Sequence, residues 1–99
     1  MVRGGYIYII TNKNKTTLYV GVTSNLRQRI YEHKIGKYKN SFSKRYNLKY
    51  LIYYECFSYI EEAIHREKQL KAGNRQRKLD LINDFNPEWG DLYEGLEVD

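Results

Sequence analysis

The feature that most limits the fold is a pair of short segments near the start of the chain, YIYII and TLYVGV, joined by the polar segment TNKNKT. Both segments are rich in the aromatic and β-branched residues that favour strands, and the segment between them favours a turn. We therefore predict an antiparallel hairpin. Because side chains alternate along a strand, Tyr6 and Tyr8 should lie on one face and Ile7 and Ile9 on the other.

The tyrosines of this hairpin are candidates for a site. The loop length permits Tyr8 to lie across the ladder from Tyr19, which would place two phenols side by side next to Gly21. A glycine at such a position allows a ligand or another backbone to come close. Aromatic pairs across strands also stabilise sheets, and that structural role is expected for most of the eleven tyrosines.

A helix, a basic connection and a third strand follow the hairpin. The helix should run over roughly 25–34, capped by Ser24 or Thr23 and stopped by Gly36. The connection GKYKNSFSKRYN has room for one helical turn at Phe42 and the residues after it. The segment KYLIYYECF is apolar on both faces, which predicts a strand covered on both sides or central in the sheet, with Cys56 as a small buried thiol.

Two further helices complete the pattern. The segment SYIE has the form of a capping box, in which Ser58 opens a helix and the Glu61 carboxylate accepts from a free backbone N–H. Gly73 should break this helix, and Asn74 should cap a last one, RQRKLDLINDF. The order β-β-α-β-α-α predicts an α+β fold, a small mixed sheet with helices packed on it.

Size and composition predict one domain over residues 1–99, with a core from about 5 to 92. No run approaches the ~18 consecutive apolar residues that a membrane span requires, and the start of the chain has too few apolar residues for a secretory signal. The lone cysteine cannot form an internal disulfide. We therefore expect a soluble protein of the reducing cytoplasm.

Charge is unevenly distributed. The formal net charge is +5, and acidic residues collect in the tail PEWGDLYEGLEVD. A basic body with an acidic end favours a polyanionic partner such as DNA, although solvated charge alone would account for the same residues equally well. The residues assigned to this positive surface are Arg27, Lys34, Lys37, Lys39, Lys44 and Arg45.

Glu67 is a charged residue in an apolar position. At ~100° per residue, it projects into the middle of the apolar stripe of the helix that follows Ser58. An ionised carboxylate on a packing face is costly unless it is paired or binds a cation. An ion pair with Lys71 at i+4 would account for it, and so would a functional role together with partners elsewhere. The apolar stripe consists of Ile60, Ala63, Ile64 and Leu70.

The first helix offers such partners. Arg29 and His33 are spaced i, i+4, so they share one helix face at the border between core and solvent. A guanidinium there can bind phosphate through two N–H groups, and an imidazole can donate to the same anion or shuttle a proton. Two solvated residues on a basic helix are the equally weighted alternative.

Taken together, the motifs YIY, YVG, LRQRIYEH and AIHREKQLK, in this order, closely resemble the GIY-YIG nuclease superfamily. The resemblance covers about 5–92 and is closest to the short stand-alone branch without a separate DNA-binding domain. It implies a three-stranded antiparallel sheet with flanking helices. Tyr6 stands where the first motif has glycine, and Val20 where the second has isoleucine. By resemblance the catalytic residues are Tyr8, Tyr19, Arg29, His33 and the metal-binding Glu67, while Asn86 falls on a polar residue near the end of the domain.

The resemblance implies metal-dependent hydrolysis of DNA phosphodiesters. Glu67 would hold one Mg²⁺ or Mn²⁺, and Arg29 would stabilise the charge that develops on phosphorus. One tyrosine would take a proton from the attacking water, with Tyr8 favoured and Tyr19 positioning it, although the sequence does not separate the two. Cationic neighbours are expected to depress the pKa of that phenol. Lys71 and Asn86 complete the residues expected to contact DNA.

A binding module without catalysis is the main alternative. The same basic surface and tyrosines could hold single-stranded nucleic acid by stacking and phosphate contacts. Glu67 separates the two hypotheses, because a pure binder gains nothing from a carboxylate directed at phosphate. Low sequence specificity is expected in either case, and the DNA could be single-stranded, branched or duplex.

Overall fold

The computed structural model describes residues 4–39 and 41–96, and it has the predicted element order. The tyrosine-rich segments form two strands that precede the first helix, and the basic connection holds one short helix. The elements are β1 (Gly5–Thr11), β2 (Leu18–Thr23), α1 (Leu26–Ile35), α2 (Phe42–Arg45), β3 (Tyr50–Phe57), α3 (Ile60–Ala72), α4 (Arg75–Phe85) and a 3₁₀ turn (Tyr93–Gly95).

The sheet has three strands in the order β2-β1-β3, and both pairings are antiparallel. The three-stranded antiparallel sheet that the family resemblance implies is confirmed, and the mixed sheet inferred from the element order is wrong. Of the two alternatives for the third strand, β3 is covered on both sides and is not central, because β1 lies in the middle. β3 is apolar because both faces of the sheet are covered. A bulge opposite Ile9 and Ile10 lets Ile52 and Tyr53, which are adjacent in sequence, both pack into one core.

Each face of the sheet has its own core, and the predicted alternation along β1 is confirmed. Ile7 and Ile9 pack under α3 and α4, whereas Tyr8 and Ile10 face α1. Trp89 also packs against the first of these cores. Fully burying an aliphatic side chain of this size stabilises a fold by ~1.5–3 kcal/mol. The second core contains Tyr8, Ile10, Leu26, Ile30, Leu48 and Leu51.

The ends of α1 differ partly from the prediction. Neither Ser24 nor Thr23 caps the helix; the Asn25 side chain accepts from the backbone N–H of Gln28. Thr23 hydroxyl oxygen instead accepts from the backbone N–H of Asn25, which holds the cap in place. Gly36 ends the helix as predicted, with a φ of 68° that favours glycine.

The two later helices begin differently from each other. α3 begins after Tyr59, not at Ser58, and Glu62 instead of Glu61 accepts from the backbone N–H of Tyr59. Because β3 continues to Phe57, the chain uses the next two residues to turn back over the sheet. α4 has the predicted bounds, and the Asn74 side chain caps it.

Cys56 is exposed, so the prediction of a buried thiol is wrong. It lines an open groove beside the end of β3 instead of packing into either core. Within residues 4–39 and 41–96, no helix is long and apolar enough to cross a membrane.

Candidate active site

The two hairpin tyrosines lie on the same face of the sheet but are not paired. Tyr8 pairs with Gly21, and Tyr19 pairs with Ile10, two residues further along the ladder. The predicted pairing of the two tyrosines is therefore wrong. A Cβ atom added to Gly21 would lie 2.3 Å from the hydroxyl oxygen of Tyr8. Gly21 thus makes room for the Tyr8 ring itself, not for a ligand.

Tyr8 and His33 form a buried pair. The Tyr8 hydroxyl lies 2.9 Å from His33 Nε2, and His33 Nδ1 lies 2.9 Å from the hydroxyl oxygen of Ser43. Burial lowers the pKa of His33 to about 4, and the positive charge of Arg29 acts in the same direction. The imidazole is therefore neutral at neutral pH, and one of its nitrogens must accept while the other donates.

The hydrogen bonds of Ser41 and Ser43 determine which ring nitrogen of His33 carries the proton. The Ser41 hydroxyl donates to the carbonyl oxygen of Tyr38 at 2.7 Å, and a hydroxyl has only one proton to donate. In the 3.1 Å contact between Ser41 and Ser43, the donor is therefore Ser43. Ser43 must then accept from Nδ1–H of His33. This leaves Nε2 as the acceptor of the Tyr8 hydroxyl proton.

Arg29 lies beside the same pair. Its guanidinium lowers the pKa of Tyr8 through its charge and by hydrogen bonding, but burial is the larger effect and the pKa of Tyr8 is raised overall. Arg29 thus acts on the pKa of Tyr8 in the direction expected of a cationic neighbour, but it does not offset the effect of burial. Arg29 also lies over the ring of Tyr38, 5.7 Å from its centroid, and 3.5 Å from a carboxylate oxygen of Glu32.

Glu32 is a buried residue of the site that the sequence did not reveal. Its carboxylate accepts from the Tyr38 hydroxyl at 2.6 Å, from Lys37 Nζ at 2.9 Å and from Gln28 Nε2 at 3.2 Å. These hydrogen bonds, with that from Tyr38 the largest, lower the pKa of Glu32 to about 2. The carboxylate therefore holds Arg29 and Tyr38 in position. Its one signal in the sequence is an acid three residues after Arg29 on an otherwise basic helix.

Glu67 lies on α3 as part of an ion pair. Its Oε2 atom is 3.0 Å from Nζ of Lys71, and its side chain is 15% exposed. The i+4 pair considered for the sequence is therefore present. The same Lys71 ammonium lies 5.2 Å from the ring centroid of Tyr19, so the pair faces the hairpin. On the rest of the stripe, Ala63 is buried, whereas Ile64 is 38% exposed.

The structure brings four of the five predicted catalytic residues together and places Glu67 at their margin. The ring of His33 lies 5.6 Å from that of Tyr8 and 6.2 Å from that of Tyr19, and Arg29 adjoins Tyr8. Glu67 reaches this group through Lys71 and Tyr19, not by direct contact with the imidazole or the guanidinium.

Arg27, Lys34 and Asn86, three of the residues expected to contact DNA, are bound to the C-terminal part of the fold or to β3. The Arg27 guanidinium donates to the carbonyl oxygen of Leu96, and Lys34 pairs with Asp91 at 2.6 Å. The Asn86 side chain donates to two carbonyl oxygens, those of Ile52 at 3.1 Å and Gly90 at 2.8 Å, where it ties the end of α4 to β3.

The remaining cations have different surroundings. Lys37 pairs with Glu32 at 2.9 Å, and Lys71 with Glu67. The residues exposed on this part of the surface without a described acidic partner are Lys39, Lys44 and Arg45.

The described residues contain no group of three or more His, Cys, Asp or Glu side chains that could enclose a metal ion. Glu67 is instead a single, largely buried carboxylate that faces the positive charge of Lys71. Mg²⁺ often binds one or two carboxylates and completes its coordination with water and substrate phosphate. Glu67 fits that kind of site and does not fit a closed protein cage.

Comparison with known proteins identifies the family. The model of the GIY-YIG catalytic domain matches residues 4–80, which include the two tyrosine strands, α1 and α3. The chain therefore belongs to the GIY-YIG family. Its relatives are small proteins of similar length, so the resemblance to the short single-domain branch is confirmed.

A UPF0213 protein of Syntrophus aciditrophicus is 37% identical over 83 residues, which cover 84% of this chain and 93% of the relative. UPF0213 protein SH2523 of Staphylococcus haemolyticus is 38% identical over 79 residues, covering 80% and 94%. The solution NMR structure of UPF0213 protein BH0048 from Bacillus halodurans has the same fold, with a TM-score of 0.52, 24% identity and 97% of both chains covered.

Proposed function

We propose that the protein is a metal-dependent endonuclease that hydrolyses DNA phosphodiester bonds with low sequence specificity. The observation that carries the proposal is the hydrogen bond between Tyr8 and His33, beside Arg29, in a chain of the GIY-YIG family. The geometry supplies a proton acceptor and a cation next to each other, and phosphodiester hydrolysis requires both.

Tyr8 acts as the general base through His33. Because burial raises its pKa, Tyr8 holds its proton at neutral pH and no phenolate is ready in advance. The hydroxyl oxygen takes a proton from the attacking water while the Tyr8 proton passes to His33 Nε2, 2.9 Å away. His33 becomes an imidazolium, and its Nδ1–H remains bonded to Ser43. The proton thus moves inward, away from the new phosphorus–oxygen bond.

Arg29 and Glu67 act on the phosphate. The Arg29 guanidinium donates to the non-bridging oxygens and stabilises their increasing negative charge. Glu67 would hold Mg²⁺ or Mn²⁺ in place of its ion pair with Lys71. Such an ion would supply charge neutralisation on the phosphate. Lys71 would then be available to a DNA phosphate.

The exposed cations support DNA as the substrate. Lys39, Lys44 and Arg45 would contact the phosphate backbone, which carries no sequence information, so affinity should fall steeply with salt and specificity should be low.

A cleavage assay tests this function. Labelled single-stranded, duplex and flapped DNA, together with an RNA strand, are incubated with the protein in Mg²⁺, Mn²⁺ or EDTA. We expect products that require the metal and disappear in Glu67→Ala, with the circular dichroism spectrum unchanged. Full activity of Glu67→Ala would contradict the proposal. Glu62→Ala, on the same helix, is the matched control because Glu62 is exposed and accepts from the backbone N–H of Tyr59 at the start of the helix.

A binding module without catalysis is the second candidate. The observation that favours it is the ion pair of Glu67 with Lys71, which satisfies the acid without a metal. Binding of DNA with no products in any of the metals would support this candidate.

A further inference from the structure

A row of aromatic rings extends the site across the protein surface. The rings of Tyr19 and Phe42 are stacked with 6.0 Å between centroids and 28° between planes, and the ring of Tyr46 lies 4.6 Å from that of Phe42. We call these three residues the aromatic ledge. Packing between neighbouring rings explains their contacts, but Phe42 is still 47% exposed and Tyr46 42% exposed. Both side chains therefore remain partly open to solvent.

The short helix that carries the ledge is anchored to the core. The Ser41 hydroxyl caps α2 by accepting from the backbone N–H of Lys44, and Ser43 in the same helix is bound to His33. Leu48, after α2, is completely buried in the core under α1. Because this backbone is already ordered, its conformational freedom is not lost again when a flat ligand stacks on the rings.

Cations lie at both ends of the ledge. The Arg45 guanidinium lies over the ring of Tyr46, 5.8 Å from its centroid, and Lys71 Nζ, which is paired with Glu67, lies over the ring of Tyr19 at 5.2 Å. The segment from His33 to Tyr54 contains no Asp or Glu, although it contains Lys and Arg repeatedly. Exposed aromatic side chains among cations are the surface that single-stranded nucleic acids use, with bases on the rings and phosphates on the cations.

The ledge begins at the proposed catalytic site, because Tyr19 belongs to both. A strand with a phosphate beside Arg29 would carry its next bases over the rings. In a duplex, the base faces are covered by neighbouring bases, and only an unpaired base can stack on protein.

We propose that the aromatic ledge stacks unpaired bases that adjoin the cleaved phosphate, so that the preferred substrate is a single strand or the unpaired arm of a flap. The link to cleavage rests on the proposed function, whereas the stacking itself does not. A neutral protein partner would use the rings without requiring the cations.

Binding without cleavage tests the ledge directly. Fluorescence anisotropy in EDTA measures binding of three ligands of equal length: an oligothymidylate, an abasic strand and a duplex. A length of about 12 nucleotides lies within the ~4–16 nucleotides that such surfaces typically bind. We expect the oligothymidylate to bind most tightly. Phe42→Ala should weaken its binding about 5- to 100-fold, as loss of one stacked base would, and should leave the abasic strand unaffected.

Matched variants separate stacking from folding. Phe42→Trp should retain the affinity, whereas Phe42→Leu, which keeps apolar packing against Tyr19, should lose it. Tyr59→Ala removes an aromatic residue that is 60% exposed at the start of α3, away from the ledge, and should change nothing. Equal affinity of the wild-type protein for the oligothymidylate and the abasic strand, or full affinity of Phe42→Leu, would overturn the proposal. Because no metal is present, either result is independent of whether the protein cleaves DNA.

Discussion

The hydroxyl of Tyr8 and the Nε2 atom of His33 lie 2.9 Å apart, although 25 residues separate them in the chain. Tyr8 is 1% exposed and His33 7% exposed, so bulk solvent competes little with this bond. The hydrogen bonds of Ser41 and Ser43 set its direction, from the phenol to the imidazole. A buried neutral histidine with a defined tautomer is a proton acceptor held in place before the substrate arrives.

The first prediction concerns Ser43. In Ser43→Ala, Nδ1–H of His33 loses its acceptor, and the two imidazole tautomers should become mixed. Nitrogen NMR shifts of His33 report the tautomer directly, without substrate. We expect turnover to fall about 10- to 100-fold, within the range that general acid–base catalysis contributes. Ser43→Thr keeps the hydroxyl and should keep both properties; an unchanged tautomer in Ser43→Ala would contradict the assigned hydrogen-bond direction.

The second prediction separates the two tyrosines. Tyr8→Phe removes the hydroxyl that bonds to His33 and should lower turnover by about 10²–10⁴-fold with little change in DNA affinity. Tyr19→Phe keeps the ring that stacks on Phe42 and should lose less turnover. Single-turnover kinetics and anisotropy measure the two effects. If Tyr19→Phe were the more damaging variant, Tyr19 and not Tyr8 would be the base.

The third prediction concerns Gly21. Gly21→Ala would place a Cβ atom 2.3 Å from the Tyr8 hydroxyl oxygen, so the buried ring must move. We expect the free energy of unfolding to fall by ~1–3 kcal/mol or more, as in overpacked cores. Urea denaturation measures it. Gly90→Ala is the control, since no described atom lies within 4 Å of a Cβ there. Tyr8→Leu combined with Gly21→Ala should recover part of the loss, and simple additivity would contradict the clash.

The fourth prediction is a loss of stability in acid. The pKa of His33 is about 4 in the folded protein and ordinarily near 6.5, so the unfolded chain binds a proton first. The free energy of unfolding should therefore fall as the pH decreases from about 6.5 to 4, by up to ~3 kcal/mol. Glu32, with its pKa lowered from 4.5 to about 2, is stabilising above pH 4.5 and adds a further loss between those values.

Melting temperatures across this pH range measure both steps. His33→Gln should flatten the curve between pH 6.5 and 4, and Glu32→Gln below 4.5. His65→Gln removes the other histidine, which is exposed, and should leave the slope unchanged. An equal slope in the wild-type protein and His33→Gln would show that His33 is protonated as readily in the folded state as in the unfolded one.

Much of the fold could be predicted from local chemistry. Alternation along β1 placed Ile7 and Tyr8 on opposite faces, Gly36 ended α1, and Asn74 capped α4. Each of these features depends on residues within a few positions in the chain, and the side-chain period or backbone conformation follows from them directly. The i, i+4 spacing also placed Arg29 and His33 on one helix face.

The register of the hairpin and the side-chain hydrogen bonds of the site could be determined only from the tertiary structure. Whether Tyr8 pairs with Gly21 or with Tyr19 depends on how the hairpin closes, and a shift of two residues keeps the same face pattern. His33 and Glu32 are buried because α1 packs on the sheet and because the segment that contains Ser43 folds over α1.

The amino-acid sequence by itself therefore determined the elements, their order and the residue types available for catalysis. Only the tertiary structure decided which of these residues contact one another, which are neutral and in which direction their hydrogen bonds run. The physical reason is that propensity and periodicity act over one or two turns of chain. Burial and hydrogen bonding in this site join residues from β1, α1 and α2, whose distances the sequence does not encode locally.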